Sequence, residues 1–70
     1  MLNSLDFQIP AVQSQAEAQA IVERLWATPG VTYAKGDHRT KIFVATWTQP
    51  ATWETLKDAM LGMGYVPKYR

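Results

Sequence analysis

Three observations in the 70-residue sequence predict an α+β domain. Apolar residues alternate in short runs and recur at helical spacing in two longer ones. These runs come in the order β-α-β-β-α-β. The middle two strands are joined by a short polar link, so they close as a hairpin, while a helix-length connection separates each outer pair. Right-handed crossovers then favour the ferredoxin-like split βαβ sandwich, a four-stranded antiparallel sheet with two helices on one face. The other face is left to solvent or to a partner.

The first strand is read in "LDFQIP", where Leu5, Phe7 and Ile9 point one way and Asp6 and Gln8 the other, with Pro10 closing the run. Ser14-Gln-Ala-Glu17 fits a capping box: the serine hydroxyl accepts the N3 amide, and the glutamate reaches back to the cap's own N–H. Ala18, Ile21, Val22 and Leu25 then form the apolar stripe of the first helix, with Glu17, Glu23 and Arg24 off it. Pro29-Gly30 stops that helix. "VTYAKG" and "KIFVATW" are the hairpin strands, linked by "DHRT". The second puts Ile42, Val44 and Thr46 on one face and Phe43, Ala45 and Trp47 on the other. A second helix starts at Thr52 as N-cap and carries Leu56, Ala59, Met60 and Met63 on its apolar side, with Gly62 and Gly64 ending it. "YVPKY" is a short last strand whose Pro67 belongs on an edge.

Composition narrows the function classes. A chain of this length makes one domain, residues 1–70, with a thin core. It has no cysteine, so disulfides, thiolate metal sites and thiol chemistry are excluded. A net charge of +1 implies neither a strongly basic nucleic-acid surface nor an acidic tail. The N-terminal residues lack the pattern of a signal peptide, and no apolar run approaches the roughly 18 residues of a membrane span. The expectation is a cytoplasmic protein without membrane insertion.

Few residues invite chemistry. Asp6, Glu17, Glu23, Asp37, Glu54 and Asp58 are scattered over separate elements, and "GMG" at 62–64 is a helix stop rather than a phosphate loop. No enzyme and no cofactor are expected. His38 sits beside Asp37 in the hairpin, which is half of a hard-metal site at best. Met60 and Met63 fall at core spacing. Tyr33, Phe43 and Trp47 are read as aromatics on the open sheet face, near Lys35, Arg39 and Lys41. That combination raises RNA stacking, but "KIFVATW" lacks the glycine and aromatic triplet of the RNA-recognition strand, so no nucleic acid is expected. A protein partner explains the patch at least as well.

Ile21, Leu25, Pro29-Gly30-Val31, Lys41-Ile42-x-Val44, Leu56-x-x-Ala59-Met60 and Gly64-Tyr65 together resemble the heavy-metal-associated (HMA) domain, the family of small copper chaperones and of N-terminal domains in metal-pumping ATPases. The resemblance runs from about Leu5 to Pro67. It departs at the family's chemistry: by position, Ser14 and Glu17 stand where the family has its Cys-x-x-Cys. Thr28 also replaces a usual leucine, and the hairpin is a residue shorter. Thiolates select soft Cu(I), and oxygen donors do not replace them for that ion. The resemblance implies a partner-facing end built from Gln13, Ser14, Glu17, Met63 and Tyr65.

The sequence therefore supports a non-catalytic protein-interaction or assembly module that has lost the thiolate site. The alternative is metal binding or transport through Glu17, His38 or Met63, or through a site shared with a second chain. The assigned metal ligands are none, and any metal binding is expected to be weak.

Overall fold

The computed structural model describes residues 2–69. Its elements run β1 (Asn3–Gln8), α1 (Gln15–Trp26), β2 (Val31–Gly36), β3 (Ile42–Trp47), α2 (Trp53–Gly62) and β4 (Lys68–Tyr69). The sheet order is β2-β3-β1-β4, and every neighbouring pair is antiparallel. Three strands have six residues each, and the fourth is a two-residue pairing with Phe7 and Gln8 of β1. The last strand is thus shorter than the 65–69 expected from "YVPKY". Pro67 has no N–H to donate and cannot add a rung to the ladder, and the strand begins only at Lys68.

Both helices are N-capped at the residues their sequences direct, Ser14 and Thr52. The Ser14 hydroxyl accepts the Glu17 N–H at 3.2 Å, and Thr52 and Thr55 form a reciprocal capping box. Ala18, Ile21, Val22 and Leu25 of α1, with Leu56 and Met60 of α2, are buried against one face of the sheet. Ala59 is only half-buried.

That buried face carries Phe7, Ala34, Phe43, Ala45 and Trp47. This corrects the reading of Phe43 and Trp47 as open-face aromatics: Phe43 is fully buried and Trp47 is 6% exposed. Register explains the inversion. Phe7 lies opposite Phe43, Leu5 opposite Ala45 and Asn3 opposite Trp47, and directly opposed residues share a face. With Phe7 under the helices, Phe43 and Trp47 must follow. The rings of Phe7 and Phe43 stack at 5.9 Å, and Trp53 packs against Phe7 at 5.2 Å and Trp47 at 6.1 Å. Gly36, paired with Phe43, leaves room for that ring: a Cβ there would lie 2.2 Å from it.

The open face is accordingly polar and aliphatic. Ile42, Val44 and Thr46 are half-buried, with Ser4, Asp6 and Gln8 opposite Thr46, Val44 and Ile42. Tyr33 is exposed, but it leans on Trp26 edge-to-face at 6.3 Å. The Trp26 indole N–H donates to the Ala34 carbonyl at 3.2 Å, so a side chain covers part of the β2 edge. No helix among the described residues is long and apolar enough to cross a membrane.

Candidate functional site

The alternation of strands and helices brings three connections to one end of the sheet: β1–α1, the β2–β3 hairpin and the turn after α2. Side chains tie them together. The Tyr65 hydroxyl donates to Glu17 Oε1 at 2.9 Å, which fastens the turn after α2 to the first turn of α1. Glu17 Oε2 accepts the Gln13 N–H at 3.2 Å and the Ser14 hydroxyl at 3.4 Å. The reach-back of the cap therefore goes one residue further than a standard capping box, to Gln13 rather than to Ser14. From the hairpin, the Lys41 ammonium donates to the Val12 carbonyl, and His38 Nδ1 lies 2.9 Å from Gln15 Oε1. Lys41 adopts a left-handed backbone with φ 66° at the foot of β3.

Of the residues expected at this end, Gln13, Ser14, Glu17 and Tyr65 form one hydrogen-bonded cluster. Met63 is half-buried and packs against the core beside them. The tethers from Lys41 and His38 were not foreseen. Nothing in local spacing points to contacts spanning 29 and 23 residues.

The oxygen donors at this end do not suit a soft metal, and Met63 is the one soft donor among the residues expected there. Ser14 and Glu17 supply hard oxygens, and both carboxylate oxygens of Glu17 already accept N–H or O–H donors. His38 is bonded to Gln15 on the hairpin side. Among the described residues, no group of three or more His, Cys, Asp and Glu side chains gathers as a metal site would require.

The cluster does perturb one titration. The hydrogen bond to Glu17, then burial and the adjacent negative charge, raise the Tyr65 pKa above the usual tyrosine value of about 10. A raised value means that folding favours the neutral phenol. Its contribution is full below about pH 10 and is lost as pH rises through the folded value. In Glu17→Gln the charge is gone, so the Tyr65 pKa is expected to fall towards 10, read by NMR titration of its ring carbons. An unchanged titration would show that the tyrosine does not sense Glu17.

The two-layer arrangement, with its loop cluster at the start of α1, is the fold of the heavy-metal-associated domain. The solved N-terminal domain of a potential copper-translocating P-type ATPase from Bacillus subtilis, in its Cu(I)-loaded state, is 26% identical, with TM-score 0.89 over 99% of this chain and 88% of that one. Oxidized MerP from Ralstonia metallidurans CH34 is 16% identical, with TM-score 0.89 over 97% and 96% of the two chains. The CsoZ metallochaperone is 13% identical, with TM-score 0.90 over 99% and 100%. The sequence matches no protein-family model and no curated protein. This chain resembles HMA-domain metallochaperones in fold and differs from the Cys-x-x-Cys pattern in having no cysteine.

Proposed function

We propose that this chain is a cytoplasmic, non-catalytic interaction module that has the metallochaperone fold without a thiolate metal site. It docks a protein partner through Gln13, Ser14, Glu17, Met63 and Tyr65. The observation that carries this reading is the Tyr65–Glu17 bond of 2.9 Å. It joins the turn after α2 to the first turn of α1, which would hold both segments in a fixed relation for a partner. Preorganised loops lose less entropy on docking, which favours a specific contact over a modest area.

Gln13 is exposed on the loop before α1, so Gln13→Arg changes the docking end without touching the core. Quantitative affinity capture from extract of the native cells should retain a partner with the wild type and with Lys57→Glu on α2. Gln13→Arg should retain it at least about tenfold less, equivalent to about 1.4 kcal/mol of binding. Equal capture by all three proteins would place the interaction elsewhere and overturn the reading.

A further inference from the structure

The two edges of the sheet differ. Among the described residues β4 offers a strand of two, whereas β2 runs for six and closes the opposite side. A register shift between Val31 and Tyr33 leaves residues 33–36 as its regular part. The Asp37 N–H donates to the Ile42 carbonyl at 3.1 Å, so counting back in twos points the backbone groups of Lys35 and Tyr33 at β3. Those of Ala34 and Gly36 then face outward, the row that a further strand would meet. Trp26 stands across that row. It leaves the end of α1, in the helix layer, and its indole N–H donates to the Ala34 carbonyl at 3.2 Å. Its ring also meets Tyr33 edge-to-face at 6.3 Å, and Tyr33, opposite Thr46, belongs to the open face of the sheet. The indole therefore passes round the edge of β2 from one face to the other. Trp26 is 47% exposed and lies outside the core cluster, so burial does not account for its position.

We propose that the β2 edge is a latent pairing surface for β2 of a second copy of this chain, and that Trp26 is the strap that holds it shut. None of the five docking residues lies on this edge, so the inference stands apart from the docking reading. The pattern of side chains selects the occupant. Antiparallel pairing about a two-fold axis at Ala34 makes the Ala34 N–H of each copy donate to the Ala34 carbonyl of the other. That carbonyl is the acceptor which the Trp26 indole occupies. The same register sets Lys35 opposite Tyr33 of the second copy, an ammonium beside an aromatic ring on the open face, and keeps the two Lys35 side chains apart. Gly36, without a side chain, falls opposite Thr32. An unrelated strand would have no such match to Tyr33 and Lys35. The strap opposes this pairing in two ways: it takes the acceptor, and its ring fills the space that the second strand needs.

The test compares wild type with Trp26→Ala and Trp26→Phe by sedimentation and by amide hydrogen exchange over a range of protein concentrations. Trp26→Ala is expected to dimerise with a dissociation constant at least about tenfold below that of the wild type, the scale of two competing hydrogen bonds, one from each copy. Exchange should slow with concentration at Ala34 and Gly36, whose N–H groups face outward, and stay unchanged at Tyr33 and Lys35. Trp26→Phe keeps a ring beside Tyr33 but has no N–H to donate, and should dimerise to an intermediate degree. It decides the matter if Trp26→Ala fails to fold. Adding Tyr33→Lys to Trp26→Ala sets Lys35 opposite another lysine in this register, and should return the protein to monomer. Association of the variants no stronger than that of the wild type, or without new protection at Ala34 and Gly36, would overturn the proposal. So would association that survives Tyr33→Lys.

Discussion

Phe43→Ala is expected to destabilise the protein by about 3–5 kcal/mol, the usual cost of emptying a buried phenylalanine site. The side chain is fully buried, stacked on Phe7 and lying over Gly36. A domain of this size has a total stability of roughly 4–10 kcal/mol. One truncation therefore removes much of the margin, and the urea midpoint should collapse or the protein should be unfolded in buffer. The result also decides between the two faces of the sheet. On an open face the same change would stay within about 0.5 kcal/mol. A small effect would mean that β3 is inverted relative to this structure.

Gly30→Ala is the second large effect. Gly30 has φ 99°, outside the region that other residues adopt readily, and an added Cβ would lie 2.4 Å from the Thr48 carbonyl oxygen and 2.8 Å from Ala51. The obstruction is backbone, held in place because the Thr48 N–H donates to the Gly30 carbonyl at 2.8 Å. Conformational strain of about 1–2 kcal/mol and overpacking of about 1–3 kcal/mol together suggest a loss of roughly 2–5 kcal/mol. Gly64→Ala is the informative comparison. It also has positive φ, at 91°, but nothing lies within 4 Å of its added Cβ, so it carries only the conformational part. Denaturant unfolding of both variants separates the two contributions. Equal losses would show that the close approach at Gly30 contributes nothing.

Much of this fold was legible because local signals agreed with one another. On α1 the cap at Ser14 and the stripe Ala18, Ile21, Val22 and Leu25 indicated the same helix and the same buried face. On β3 they did not agree. Ile42 and Val44 alternate with Phe43, Ala45 and Trp47, so both faces are apolar and periodicity cannot choose between them. The choice lies in the register with β1, whose Ser4, Asp6 and Gln8 fall opposite Thr46, Val44 and Ile42. That polar side fixes the open face, but the register is a tertiary fact.

The candidate site divides in the same way. Family resemblance grouped Ser14, Glu17 and Tyr65, and the capping chemistry of Ser14 followed from the sequence. The Tyr65–Glu17 contact closes 48 residues of chain and leaves no local trace. Lys41 and His38 reach the β1–α1 loop only because the hairpin folds back to the same end.

The proposal at the centre of this account is that hydrogen bonds accepted by Glu17 take the place of a thiolate metal site. The most direct measurement is an anaerobic, competitor-buffered Cu(I) titration followed by amide NMR. No saturable shift is expected at residues 12–17 or 63–65, and the Tyr65 hydroxyl should stay on Glu17 throughout. Saturable shifts confined to those residues would show a metal held by oxygen or thioether donors, and would contradict the account.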